Sequence, residues 1–205
     1  NENVSGFIAD FTNLDSLRNM AKDVKSNLDH LDVLINNAGV FNSKTQQTKD
    51  RLDVRMVVNY LAPYVLTNAL IPSMKNTGAR IINLSSAAQD PIDESVLNGE
   101  TKVSERIAYG QSKLAITMWS FHLANEFPNI VTIPVNPGSL LNTKMAIEAF
   151  GQSWAPADKG AQILFELATS DQFINDSGNY FDNDSEAFSE AHPDAYEPSK
   201  VKRLL

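Results

Sequence analysis

Cysteine is absent from the 205 residues, which excludes a disulfide framework, thiolate metal sites and a cysteine nucleophile. Glycine is scarce, with 9 residues against an average usage of about 7%. Positive charge is in deficit: 17 Lys and Arg face 25 Asp and Glu, for a net charge of -8. With a pI near 4.8, binding to nucleic acid or an anionic membrane is disfavoured. Apolar runs are short and interrupted, so no transmembrane helix is expected. No secretory leader opens the chain, and a cytoplasmic protein is the expectation. The chain starts at Asn1 rather than Met, so it does not begin at a normal translation start. His30, His122 and His192 are scattered, no two at a metal-ligand spacing; they read as structural or surface residues, and no metal is expected.

What is present fits one domain of 205 residues with a sizeable core. Val4 to Ala9 reads as a short strand ending at Asp10. Thr12 or Asn13 can cap the helix that follows, on which Leu14, Leu17, Ala21, Val24 and Leu28 recur at helical spacing. Leu31 to Ile35 is a β-branched strand that stops at the turn Asn36-Asn37-Ala38-Gly39. A long helix is expected from about Asp50 to Lys75, a strand over Arg80 to Leu84, and a polar stretch from Gln89 to Glu105. A helix from about Arg106 to Phe127 and a strand over Ile130 to Val135 follow, the strand ending at Asn136-Pro137-Gly138. Residues 139 to 155 read as irregular or partly helical. Ala157 to Ser170 is a helix, Asn179 to Phe181 a last strand, and from about 183 a polar surface tail is expected. Strands apolar on both faces and alternating with helices predict an α/β fold, a doubly wound parallel sheet. In such sheets ligands bind beyond the carboxyl ends of the strands, where Asp10, Asn36, Ser86 and Pro137 all fall.

Tyr109 and Lys113 carry the clearest chemistry. A spacing of four puts them on one helix face. A neighbouring ammonium favours the phenolate and lowers the phenol pKa from about 10, so the pair can exchange a proton with a hydroxyl or carbonyl. Alone, the spacing describes a solvated helix face more often. Ser86, just past a strand, offers a hydroxyl to a substrate oxygen, or simply caps the strand. Asn59 sits four residues before Pro63, which has no N–H, so the Asn59 carbonyl loses its helical donor. It is then free to hold a water, or is satisfied elsewhere in a packing kink. The small residues of Asn36-Asn37-Ala38-Gly39 let backbone approach a ligand closely, although each such turn is unremarkable singly. Phe150 and Trp154 fit either an apolar substrate lid or an anchor of that lid to the core.

Taken together, Asn36-Asn37-Ala38-Gly39, Asn59, Ser86, Tyr109-x-x-x-Lys113 and Pro137-Gly138 resemble, in order and spacing, the short-chain dehydrogenase/reductase superfamily, over residues 4 to 182. Ala108-Tyr109-Gly110-Gln111-Ser112-Lys113-Leu114-Ala115 and the 23-residue step from Ser86 to Tyr109 look like its retinol-dehydrogenase-like branch, without implying a retinoid. The resemblance implies a Rossmann-like oxidoreductase that uses NAD or NADP to interconvert a carbonyl and an alcohol by hydride transfer. It implies Tyr109 as general acid/base and Ser86 as orienter of the substrate oxygen. Lys113 would lower the Tyr109 pKa and bind the nicotinamide ribose, and Asn59 would hold a relay water through its main chain. Asp10 would contact the adenine. Asn37, Ala38 and Gly39 would line the adenosine side. Pro137 and Gly138 would abut the nicotinamide, with Thr143 reaching its carboxamide, although Pro137 to Thr143 is one residue longer than the commonest pattern. A small-molecule carbonyl or alcohol substrate, and a homo-oligomer through the helices near 50–75 and 106–127, are family-level expectations.

The superfamily opens with a strand, a glycine-rich turn and a helix that cradle the cofactor pyrophosphate. No such turn occurs here, and the chain reads as lacking the family's first two strands. In the family's 3-2-1-4-5-6-7 order that would leave a gap beside Val33–Ile35, unless Val4–Ala9 docks there directly. Tight dinucleotide binding by these residues alone is not expected, and the residue that separates NAD from NADP falls in the missing part. Two other readings compete: a cofactor-free member that only binds or oligomerises, and a sugar-nucleotide epimerase or dehydratase built on the same Tyr–Lys pair. The short C-terminal region argues against the second.

Overall fold

The computed structural model describes residues 3–74 and 77–205, with the Phe150 side chain excepted. Its centre is a five-stranded sheet in the order β1 (Val33–Asn36), β2 (Ala79–Leu84), β3 (Ile130–Asn136), β4 (Tyr180–Asp182), β5 (Ala187–Ser189). The first four strands are parallel, and β5 returns antiparallel to β4. Alternation along β2 explains the layering. Ile81 faces one core layer, with Met56, Tyr60, Ala115, Ile116 and Trp119. Ile82 faces the other, with Ile133, Val135, Ile163, Leu167 and Phe181. Helices therefore cover both faces, as the apolar strands require.

Helix α1 (Leu14–Asn27) is capped by the Asn13 side chain, which accepts the Asp15 and Ser16 N–H groups. It buries Leu17 and Ala21, the latter against Leu66 and Leu70. The long helical stretch Val54–Ser73 comprises α2 (Val54–Met56), a π-turn at Val57–Leu61, α3 (Ala62–Leu70) and a closing 3₁₀ turn. Asp53 caps it, so it starts later than Asp50; its expected end at Lys75 lies outside the described residues. This stretch has the length and apolarity of a membrane span, contrary to the expectation that none would. Its most apolar window is 67% buried inside the protein, and it lies between α1 and the sheet as a core helix. After the short α4 (Glu94–Leu97), the 22-residue α5 (Glu105–Glu126) starts at the Ser104 cap. Then come α6 (Lys144–Phe150), α7 (Ala157–Thr169) and α8 (Pro198–Leu204). Arg80, buried in β2, donates to the Leu167 and Ser170 carbonyls at 2.8 Å, satisfying the open C-terminus of α7.

Two further expectations fail. Val4–Ala9 is not a strand: Val4 is 74% and Ile8 100% exposed. β-propensity makes a strand only where a neighbour completes its ladder, and this segment does not reach β1. The outer edge of β1 carries no ladder among the described residues, and Ile35 there is 39% exposed. That is the gap expected beside Val33–Ile35, not the alternative docking. The residues beyond 183 are not a tail. Ala191 and Ala195 are buried with Leu114, Met118 and Tyr180, Val201 and Leu204 pack on the same cluster, and the Tyr196 ring lies 5.3 Å from Phe121. Sparse alanines and valines at turn and helix spacing provide this contact surface, which overall polarity conceals.

Candidate active site

At the carboxyl ends of β1, β2 and β3 the sequence places turns, and α5 runs beneath them. Tyr109 and Lys113 lie one helical turn apart, with Lys113 Nζ 5.5 Å from the centre of the Tyr109 ring. The Ser86 hydroxyl lies near enough to the phenol to draw its pKa down. Ser86 is itself fixed from behind: its carbonyl accepts from Tyr180 Oη at 3.1 Å and Gln89 Nε2 at 2.9 Å. Burial pushes the Tyr109 phenol up, against the smaller pull of the Ser86 hydroxyl. Burial lowers Lys113 to about 8. Its ammonium donates to the Leu84 carbonyl at 2.7 Å, which uses one of three donors.

Asn59 joins the same group through its side chain. Its amide exchanges two hydrogen bonds with the Val40 backbone, at 2.8 and 3.0 Å, and donates to Ser112 Oγ at 3.0 Å. Ser112 Oγ donates in turn to the Tyr109 carbonyl at 2.7 Å. The irregularity expected from Pro63 takes the form of the π-turn. The Ala62 N–H reaches back to the Val57 carbonyl, and Asn59 stands inside the widened turn. Gly39 closes the arrangement. A methyl group built on it would stand 3.4 Å from Asn59 Oδ1 and 3.8 Å from Lys113 Nζ, in ordinary contact with both, so the turn lies directly against them.

A buried polar chain fixes this floor. Asn36 Nδ2 donates to Thr67 Oγ1 at 2.9 Å and Asn83 Oδ1 at 2.7 Å, and Asn83 Nδ2 donates to Ser120 Oγ at 2.8 Å. Ser85 points away from Ser86 and bonds the Lys113 carbonyl at 3.2 Å and Thr117 Oγ1 at 2.6 Å. The Asn36–Asn83 link ties β1 to β2 and the others tie strand ends to flanking helices, so the strands and helices hold a common register at the site.

Of the residues singled out in the sequence, Gly39, Asn59, Ser86, Tyr109 and Lys113 come together. Asn37 and Ala38 are exposed at the same strand end. Pro137 and Gly138 leave β3 beside them, with Gly138 at φ 123°. Thr143 is exposed and caps α6 by accepting the Ala146 N–H. Trp154 is 72% exposed, so it does not anchor the lid to the core; the Phe150 side chain lies outside the described residues. Asp10 stands apart, exposed, its carboxylate turned onto Thr12. Sequence reasoning passed over Ser112, Asn83, Thr67, Ser120, Gln89 and Tyr180. Ser112 alone carried a signal, lying between Tyr109 and Lys113.

The site gathers exposed small residues at the turn, an ammonium bonded to the Leu84 carbonyl, and a phenol beside it. The family model for short chain dehydrogenases matches residues 1–153. Human polyprenol dehydrogenase is 29% identical over 92% of this chain and 64% of its own length. Human retinol dehydrogenase 13 is 30% identical over 89% of this chain and 61% of its own. The chain thus spans under two thirds of the curated relatives it matches. The solved structure of NADPH-bound carbonyl reductase from chicken fatty liver superposes with a TM-score of 0.67 at 22% identity, covering 89% of this chain and 75% of that one.

Proposed function

This chain belongs to the short-chain dehydrogenase family, and from that premise we propose that the protein interconverts an alcohol and a carbonyl with NAD or NADP, Tyr109 serving as general acid and base. The observation that carries the reading is the cluster itself: Tyr109 beside Ser86, Lys113 one turn away, and Asn59 tying the Gly39–Val40 turn to the same helix. A nicotinamide dinucleotide, when bound, supplies or accepts the hydride. The chain's residues manage the proton and the geometry.

For carbonyl reduction, the Tyr109 hydroxyl donates its proton to the substrate oxygen while Ser86 Oγ hydrogen-bonds that oxygen. The raised phenol pKa keeps the proton on Tyr109 at neutral pH, which suits this direction. For alcohol oxidation the phenolate is needed, and the Lys113 charge favours it. Lys113 also offers its unused donors to the ribose hydroxyls. The Asn59 carbonyl, deprived of an N–H at Pro63, is the acceptor we assign to a water leading protons out. Asn37–Gly39 line the adenosine side, and Pro137 and Gly138 lie against the nicotinamide. Both relatives named above act, by their names, on isoprenoid alcohols, so an apolar alcohol or aldehyde is the substrate class we favour.

The test is to titrate the complete gene product with NADH and NADPH by nicotinamide fluorescence, then follow turnover of retinal, a prenyl aldehyde and a short ketone. Micromolar binding of either dinucleotide with turnover of one carbonyl is expected. A protein that binds neither would be a cofactor-free member of the family.

A further inference from the structure

The four residues leaving β3, Asn136-Pro137-Gly138-Ser139, are held by a turn that no motif marks. Asp184, in the β4–β5 turn, accepts three hydrogen bonds from them: Ser139 N at 2.8 Å, Ser139 Oγ at 2.5 Å and Asn136 Nδ2 at 2.9 Å. Its neighbour Asn183, 4% exposed, donates from Nδ2 to the Pro137 carbonyl at 2.8 Å and the Lys159 carbonyl at 3.3 Å. Asp182 Oδ1 takes the other Asn136 amide hydrogen at 2.7 Å. The same loop lies against Gly160 of α7. A methyl group there would stand 2.5 Å from Leu141 Cδ1 and 3.3 Å from the Pro137 carbonyl, so the helix is notched to admit the loop.

The loop needs such a grip. Gly138 has φ 123° and Leu140 φ 47°. A leucine in the left-handed region is strained and persists only where its surroundings over-determine it. Here the turn grips Asn136–Ser139, and the Leu140 carbonyl accepts the Trp154 N–H at 2.8 Å.

We propose that Asp184 and Asn183 are positioning residues that hold Asn136–Ser139 in the shape that receives the nicotinamide ring. The assignment rests on the proposed oxidoreductase function, but the grip can be measured without it. Asp184 is exposed, and removing its carboxylate leaves the core untouched. Amide hydrogen exchange on the cofactor-free protein is the first arm. In Asp184→Ala the Ser139 N–H loses its acceptor, and its exchange should quicken at least about tenfold while the α5 amides do not change. Asn183→Ala should quicken exchange over the same segment. Kinetics is the second arm. Asp184→Ala should raise KM for the dinucleotide about 3–10-fold, as expected for one lost set of hydrogen bonds, with KM for the carbonyl unchanged. Asp184→Asn, which keeps one acceptor oxygen for Ser139, should fall between. Unchanged exchange at Ser139 overturns the proposal, and so does quickened exchange with an unchanged dinucleotide KM. A protein that turns over no carbonyl at all defeats the proposed function instead, and the exchange arm then decides the grip alone.

Discussion

The two ends of the expected cofactor site differ sharply. Around Tyr109, Lys113 and Asn59 the chain is closed: Asn59 is 1% and Lys113 5% exposed, and the strands above them are tied to α5 by buried hydrogen bonds. Around Asp10 it is open, with Val4 and Ile8 in solvent and the outer edge of β1 without a ladder among the described residues. The residues that would handle the proton are thus arranged by contacts wholly within this chain. The residues expected on the adenosine side, Asp10, Asn37 and Ala38, stand at the surface, and Asp10 bonds Thr12, Asn13 and Ser16 close to it in sequence. Organisation of the proton-handling groups does not depend on the region beyond β1, whereas the adenosine side has no such support.

The largest effect should come from the closed end. Tyr109→Phe deletes one hydroxyl, and the ring keeps its packing 4.8 Å from Phe41. Turnover should fall about 10²- to 10⁴-fold, the usual share of a positioned acid or base, while the thermal midpoint stays close to that of the parent. A variant with near-normal turnover would remove Tyr109 from the chemistry and end the contrast drawn above.

A smaller effect concerns the charge stored at that end. Lys113 titrates near 8 when folded and near 10.4 when unfolded. Between those values the unfolded chain holds more protons, so stability rises with pH across the window. Below pH 8 both states carry the charge and the cost of burying it is felt in full. The gain should reach about 2–3 kcal/mol by pH 10. Tyr60, Tyr109 and Tyr180 work the other way, since burial raises each of them and their contribution is lost as pH climbs above about 10. Urea denaturation from pH 7 to 10 should therefore show a rise that Lys113→Met abolishes. Parallel curves for the two proteins would mean that the ammonium is better solvated than its burial implies.

The contrast also marks what the sequence could convey. The capped and periodic elements were legible: Asn13 at α1, Pro156 before α7, the β-branched runs of β2 and β3. So was the cluster, because its residues sit at fixed offsets on one helix and at strand ends. What failed depended on partners that sequence alone does not reveal. Val4–Ala9 has strand composition but no neighbour to pair with. Pro63 did mark an irregularity near Asn59, but not its form, a π-turn at Val57–Leu61. Asp184 and Asn183 lie in a polar stretch without periodicity, and only the β4–β5 hairpin brings them to the exit of β3. The residues beyond 183 bury few large side chains, and their docking on α5 rests on small residues that composition scores as tail.

The smallest effect belongs to the open end. The Asp10 carboxylate accepts the Thr12 N–H at 2.8 Å and hydroxyl at 2.7 Å, bonds that hold it below the ordinary carboxylate range. These contacts are local and solvated, so Asp10→Ala should cost no more than about 0.5 kcal/mol in urea denaturation. The α1 cap is untouched, because it is built on the Asn13 side chain. If Asp10 meets the adenine, the same variant should weaken dinucleotide binding about 2- to 10-fold, the worth of one hydrogen bond, and leave kcat at saturating cofactor unchanged. A fall in kcat, or a loss of stability of about 2 kcal/mol or more, would show the open end coupled to the closed one through α1 and α3. The two regions would then be one unit and not two.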